Sequence, residues 1–149
     1  MSAESNVNFK PWVGDNYETK GFKGKRILVL GESHYCRKDL AEGGRCYPVC
    51  ERENMNEDCF SQTENIIDEY VNDYQKNKTY LSFERAIYGK ELTREEKNEL
   101  WHGIVFYNYL QFSVGEKARI SPQNELWKIS EAAFKEILEK YMPDYIIVW

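Results

Sequence analysis

Three short apolar runs divide the chain, and helical patterns separate them. The first, residues 26–30 (Arg-Ile-Leu-Val-Leu), is continuous in the manner of a strand buried on both faces, and it ends at Gly31. The second covers residues 104–109 and the third residues 145–149. All three runs have the short length and apolar, β-rich character of strands, so the pattern predicts three buried strands.

Amphipathic segments fill the intervals between the predicted strands. Two capping boxes, Ser61-x-x-Glu64 and Thr93-x-x-Glu96, each open a helix, and residues 81–88 read as another short helix. Residues from about 130 to 141 carry a further amphipathic helix. This alternation predicts an α/β fold with three layers, α/β/α, around a short central parallel sheet.

The domain organisation follows from length and aromatic content. Residues 1–24 hold Trp12, Tyr17 and Phe22 among polar residues, which indicates an irregular N-terminal arm laid on the core, because disordered tails are poor in aromatics. Residues 25–149 suit a single α/β domain. A buried last strand normally continues into a turn, so we expect this domain to be truncated at its C-terminus.

Charge and hydropathy restrict the partners. The net charge of −5 disfavours tight, non-specific binding to duplex DNA, although Lys20 to Arg26 form a local basic stretch. No apolar stretch approaches the roughly 18 residues of a membrane span, and the N-terminus lacks the basic and apolar regions of a signal peptide. We therefore expect a cytoplasmic protein with no membrane partner. The sequence leaves the oligomeric state open.

Four cysteines fall within 24 residues: Cys36, Cys46, Cys50 and Cys59. Such clustering in a cytosolic chain directs attention to metal or redox chemistry before disulfides. However, Cys46-x-x-x-Cys50 is one half-site and no C-x-x-C knuckle accompanies it. The spacing favours reduced thiols over a zinc or iron–sulfur site, and we expect no cofactor.

Polar side chains follow two of the predicted strands. Glu32-Ser33-His34-Tyr35 comes directly after the first strand, and Asn108 to Gln111 ends the second. Ligands of parallel α/β sheets bind beyond the carboxyl ends of the strands. The two segments are therefore expected to lie side by side and to form the functional centre.

The first of these segments carries a family resemblance. Residues 28–35, Leu-Val-Leu-Gly-Glu-Ser-His-Tyr, resemble the first motif of the uracil-DNA glycosylase superfamily. Some branches of that superfamily write the loop Gly-Gln-Asp-Pro-Tyr and others Gly-Glu-Ala-Pro-Gly. Gly31 matches both forms, Glu32 the second and Tyr35 the first, whereas His34 stands where the family has proline.

Later segments extend the resemblance to about residues 26–149. Residues 106–109, Phe-Tyr-Asn-Tyr, look like the family's second strand, whose terminal asparagine recognises the base; Asn108 takes that place. Phe60-Ser61 is similar to the segment that supplies a stacking aromatic ring. Residues 144–149 look like the third strand. The family's late histidine motif has no counterpart in these 149 residues.

The resemblance implies a uracil-DNA glycosylase-like hydrolase of DNA repair that cleaves an N-glycosidic bond, or a protein that binds a nucleobase or nucleotide. Glu32 would stabilise the oxocarbenium-like state and activate water, with Ser33 and His34 as the other catalytic candidates. Gly31, Tyr35, Phe60 and Asn108 would bind the base. DNA or a nucleobase is the implied partner.

Two other functions remain open. A nucleotide- or nucleic-acid-binding module without catalysis is favoured by the missing late motif. The Gly-Glu-Ser run also resembles the Gly-Asp-Ser motif of a lipase and esterase family, with Ser33 as nucleophile and Asn108 as oxyanion donor. A serine nucleophile needs a base, and no histidine follows His102, so His34 would have to serve.

Overall fold

A computed structural model describes residues 5–35, 55–73, 76–114 and 121–149 and shows a mixed α/β protein. In chain order the elements are β1 (Trp12–Val13), β2 (Ile27–Gly31), α1 (Glu57–Phe60), α2 (Gln62–Val71), α3 (Lys78–Tyr88), α4 (Arg94–His102), β3 (Ile104–Asn108), α5 (Asn124–Ile129), α6 (Glu131–Tyr141) and β4 (Tyr145–Val148). The chain divides into two compact units. The first takes residues 1–10, 31–62 and 108–142, and the second takes residues 11–30, 63–107 and 143–149.

The sheet has the strand order β1-β3-β2-β4 within the described residues. β2 and β4 run parallel, with Ile27 opposite Tyr145. β1 pairs antiparallel with β3, with Trp12 opposite Phe106. The sheet is therefore mixed, where the sequence predicts a parallel one. The added strand comes from the N-terminal arm, and a two-residue strand is too short to produce a period-2 signal.

An aromatic core fills the second unit. The Trp101 side chain is fully buried, and its ring meets those of Tyr70, Tyr80 and Phe83 at centroid distances of 5.6, 5.2 and 5.8 Å. The buried Glu84 accepts hydrogen bonds from Tyr70 Oη (2.9 Å) and Trp101 Nε1 (2.7 Å). Burial, followed by the nearby Glu84, raises the pKa of Tyr70, and burial raises that of Tyr80 to about 12.

Helix ends in this region follow local chemistry. The capping box at α4 is confirmed: Thr93 Oγ1 accepts from the Glu96 N–H, and Glu96 Oε2 accepts from the Thr93 N–H. α3 ends at Gly89, whose φ of 72° is accessible to glycine without strain. Ser61 differs from the prediction because it closes α1, its N–H donating to the Glu57 carbonyl at 3.0 Å.

The prediction that the third strand is buried is wrong. β4 lies at the edge of the sheet, and Tyr145, Ile146 and Val148 are 58%, 43% and 76% exposed. Only Ile147 of this strand packs, half-buried, against the core of the second unit. A continuous apolar run does not distinguish an edge strand from a central one, which explains the error.

The first unit contains α5 and α6. α6 buries Ala133, Ile137 and Tyr141, as its amphipathic pattern predicts. α5 was not expected, and none of its side chains is buried. The Tyr109 ring lies 5.5 Å from that of Trp127 on α5 and 5.3 Å from that of Phe134 on α6. These aromatic contacts tie both helices to the segment that follows β3.

Candidate functional site

The loop after β2 and the segment after β3 lie side by side in the first unit. The Tyr109 N–H donates to the Gly31 carbonyl and the Leu110 N–H to the Glu32 carbonyl, both at 2.9 Å. The Val114 N–H donates to the His34 carbonyl at 3.1 Å. Three backbone hydrogen bonds therefore hold the two polar segments against each other, which is the arrangement that the sequence predicts.

His34 and Asn108 form a buried polar pair. Asn108 Nδ2 lies 3.0 Å from His34 Nε2, and the two residues are 7% and 6% exposed. Burial lowers the pKa of His34 to about 4, so the imidazole is neutral near pH 7. A neutral ring has one acceptor nitrogen. Because Asn108 Nδ2 is a donor, His34 Nε2 is that acceptor and Nδ1 carries the ring proton.

This pair gives the Asn108 carboxamide a defined orientation. One Nδ2 hydrogen points at the imidazole, so this contact does not use the second Nδ2 hydrogen or Oδ1. A neighbouring donor and acceptor match the edge of a nucleobase. The geometry thus makes His34 an orienting group for Asn108.

The N-terminal arm supplies the aromatic neighbour of His34. The Phe9 ring meets the imidazole edge to face, with centroids 4.7 Å apart and an interplanar angle of 70°. Phe9 is itself only 2% exposed. An edge-to-face contact of this kind is a favourable aromatic geometry and contributes to the desolvation of the imidazole. Phe9 is a site residue that the sequence analysis does not identify.

Gln111 ends the polar segment 108–111, and its contacts are not predicted by the sequence. Its Oε1 accepts from the backbone N–H groups of Asn8 (2.7 Å) and Phe9 (2.9 Å), and its Nε2 donates to the Asn108 carbonyl at 2.9 Å. Fully buried glutamines are uncommon and are hydrogen-bonded when they occur. The sequence signal was limited to the position of Gln111 at a polar strand exit.

Glu32 and Ser33 face outward from the same loop. Glu32 is exposed, and Ser33 is half-buried. The Ser33 hydroxyl donates to Glu32 Oε1 at 3.4 Å. The loop therefore presents a carboxylate to solvent while turning His34 inward.

The remaining predicted binding residues lie in the same loop or on α1. Gly31 is buried at the end of β2, and Tyr35 and Phe60 are half-buried. The Tyr35 carbonyl accepts from Gln62 Nε2 at 3.4 Å, and the Phe60 carbonyl accepts from the Lys10 N–H at 2.8 Å. These contacts connect the ends of α1 and α2 with the loop and with the arm.

The cysteine cluster lies mostly outside the described residues. Cys36, Cys46 and Cys50 are not among them, and Cys59 on α1 is a half-buried free thiol. Among the described residues, no group of three or more His, Cys, Asp or Glu side chains is arranged to hold a metal ion.

No family model, curated protein or solved structure matches this chain. The described segments also contain no helix that combines the length and the apolar character needed to cross a membrane.

Proposed function

We propose that the loop at residues 31–35 and the segment at residues 108–111 bind a nucleobase and hydrolyse its N-glycosidic bond. The proposal includes the three-layer architecture and the relationship to the uracil-DNA glycosylase superfamily that the sequence motifs suggest. The observation that carries it is the Asn108 carboxamide, oriented at 3.0 Å by the neutral His34 beside a loop with an exposed carboxylate.

In this proposal each polar residue has a separate role. Asn108 recognises the base edge through its remaining Nδ2 hydrogen and Oδ1. Glu32 activates the attacking water and stabilises positive charge developing on the sugar. His34 orients Asn108 rather than transferring a proton, because a buried imidazole with a pKa near 4 is a weak base at neutral pH.

The partner proposed is an unpaired base, either free, in a nucleotide or in single-stranded DNA. A net charge of −5 disfavours tight binding to the phosphates of duplex DNA. An extruded base also needs an aromatic face, which Tyr35 in the loop or Phe60 on α1 would supply. A hydrolase with this activity would act in DNA repair in the cytoplasm.

The esterase alternative has weaker support. A nucleophilic serine needs a hydrogen bond to its base. The Ser33 hydroxyl instead donates to Glu32, and His34 Nε2 accepts from Asn108. The acceptor nitrogen of His34 therefore pairs with the Asn108 amide and not with the Ser33 hydroxyl.

The test is incubation with uracil-containing single-stranded and duplex DNA, followed by measurement of abasic sites. We expect abasic product from single-stranded DNA first. Glu32→Gln should lower the rate by at least about 100-fold, in line with loss of a general base. Glu139→Gln, on an exposed position of α6, is the matched control and should retain the wild-type rate.

The outcomes separate the candidate functions. Base binding without abasic product in the wild-type protein would replace the hydrolase with a non-catalytic binding module. A rate that is unchanged in Glu32→Gln would remove Glu32 from the mechanism.

A further inference from the structure

Gln111 joins three separate parts of the first unit. It is 1% exposed, its Oε1 accepts from the N–H groups of Asn8 and Phe9, and its Nε2 donates to the Asn108 carbonyl. Its own backbone N–H donates to Ser130 Oγ at 3.1 Å, and its carbonyl accepts from Asn8 Nδ2 at 2.9 Å. Five hydrogen bonds fix this residue, so the side chain has little freedom to move.

The same residue holds the N-terminal strap, which we define as residues 5–10. The outer end of the strap is anchored at Glu136 of α6. There Glu136 Oε2 accepts from Ser5 Oγ at 2.8 Å, and Oε1 accepts from the Asn6 N–H at 3.0 Å and from Asn6 Nδ2. The inner end is fixed by the Lys10 N–H, which donates to the Phe60 carbonyl. Gln111 forms hydrogen bonds with the strap between these two anchors.

The strap reaches the site through Phe9, which covers one edge of the His34 imidazole. Gln111 therefore acts on the His34–Asn108 pair along two routes. It holds the Asn108 backbone directly, and it holds the strap that keeps Phe9 on His34.

We propose that Gln111 is a positioning residue, which sets the orientation of the Asn108 carboxamide and holds the strap over His34. This inference rests on the proposed function for its effect on the ligand. Loss of Gln111 weakens recognition of the base, so KM or Kd rises. The hydrolytic step is affected less, because Glu32 is held by its own backbone bond to Leu110.

The variants separate the two routes. Gln111→Met preserves length and removes every side-chain hydrogen bond. Gln111→Glu keeps an oxygen acceptor for the strap and removes the donor to Asn108. Gln123→Met is the matched control, because Gln123 is exposed and makes no side-chain bond at the start of α5.

The readout that does not depend on activity is the imidazole ¹⁵N spectrum. The chain has two histidines, so His34 is assigned by comparison with a His102→Gln variant. We expect wild-type His34 to remain neutral and Nδ1-protonated at pH 6. In Gln111→Met, the His34 imidazole should titrate closer to an ordinary histidine and show mixed tautomers. In Gln123→Met, the His34 spectrum should match that of the wild type.

The ligand readout is the KM for uracil-containing single-stranded DNA, with Kd for uracil if no turnover occurs. We expect at least a tenfold rise for Gln111→Met and for Gln111→Glu, with a smaller change in kcat. Gln111→Glu keeps the strap acceptor and so Phe9 on the imidazole, and it should therefore alter the His34 spectrum less than Gln111→Met does. This division would show that the strap route and the Asn108 route are separate.

An unchanged His34 spectrum and an unchanged KM in folded Gln111→Met would overturn the proposal. If that variant does not fold, Glu136→Ala releases the outer end of the strap without touching Gln111. It should shift the His34 titration in the same direction, and no shift would also count against the proposal. An altered His34 spectrum in a protein that neither binds nor cleaves uracil substrates would refute the proposed function and leave the positioning role standing.

Discussion

Burial removes the His34 imidazole from water and places it against Asn108 and Phe9. The sequence places it in a polar loop beside Glu32 and Ser33, where all three are equal candidates for catalysis. The structure separates them: His34 is buried against Asn108 and Phe9, whereas the Glu32 carboxylate lies in solvent. The roles that we propose for His34 and Glu32 rest on this difference in burial.

The low pKa of His34 predicts a specific pH dependence of stability. Its folded-state pKa of about 4 lies below the unfolded value of about 6.5, so the unfolded chain takes up the proton first. Stability from this residue is present above about pH 6.5 and is lost as the pH falls through about 4. The loss amounts to about 3 kcal/mol.

Urea denaturation at pH 7 and pH 4 measures this loss. His34→Gln should show a smaller decrease in unfolding free energy between the two pH values than the wild type. Equal pH dependence in the wild type and His34→Gln would mean that His34 is not buried in its neutral form.

The sequence does not predict site contacts between residues that are far apart along the chain. Glu32, His34 and Asn108 are visible in the sequence because they lie at the end of a predicted strand or just beyond it. Gln111 and Phe9 are 102 residues apart, and their hydrogen bond has no local pattern. Side chains that meet in this way are revealed by the fold alone.

At the scale of elements, periodicity and capping chemistry predict the longer helices and the positions of three strands, β2, β3 and β4. α3, α4 and β2 lie within a few residues of their expected positions, and the Thr93 box starts α4. α5 is different, because its six residues bury no side chain and Gln123 makes no capping bond. An element with neither signal cannot be found from the sequence.

The edge position of β4 makes a direct prediction about substitutions. Val148 is 76% exposed, whereas Val29 on the neighbouring strand β2 is fully buried. Val148→Thr should change the unfolding free energy by less than about 0.5 kcal/mol. Val29→Thr places a hydroxyl in the core and should cost about 1–3 kcal/mol.

Urea denaturation of the two variants makes the comparison, since the substitution is the same in both strands. A cost at Val148 that equals the cost at Val29 would show that β4 is covered in solution. The predicted difference would confirm that the third apolar run is an edge strand.

At the scale of the whole molecule, the α/β class follows from the alternation of strand and helix patterns. The antiparallel pairing of β1 does not, because it joins residues 12–13 of the arm to a strand more than 90 residues later. The arm accordingly contributes to both units: residues up to Lys10 belong to the first, and those from Pro11 onward belong to the second. In the first unit it brings Phe9 to the site.

The central claim is that Asn108, oriented by His34, recognises a nucleobase. It is tested most directly by titrating uracil into ¹⁵N-labelled protein and following the side-chain amide resonances. We expect the Asn108 Nδ2 resonances to shift with saturation and Asn108→Ala to show no saturable binding. Saturable uracil binding that leaves the Asn108 resonances in place, or no shift up to the solubility limit of uracil, would contradict it.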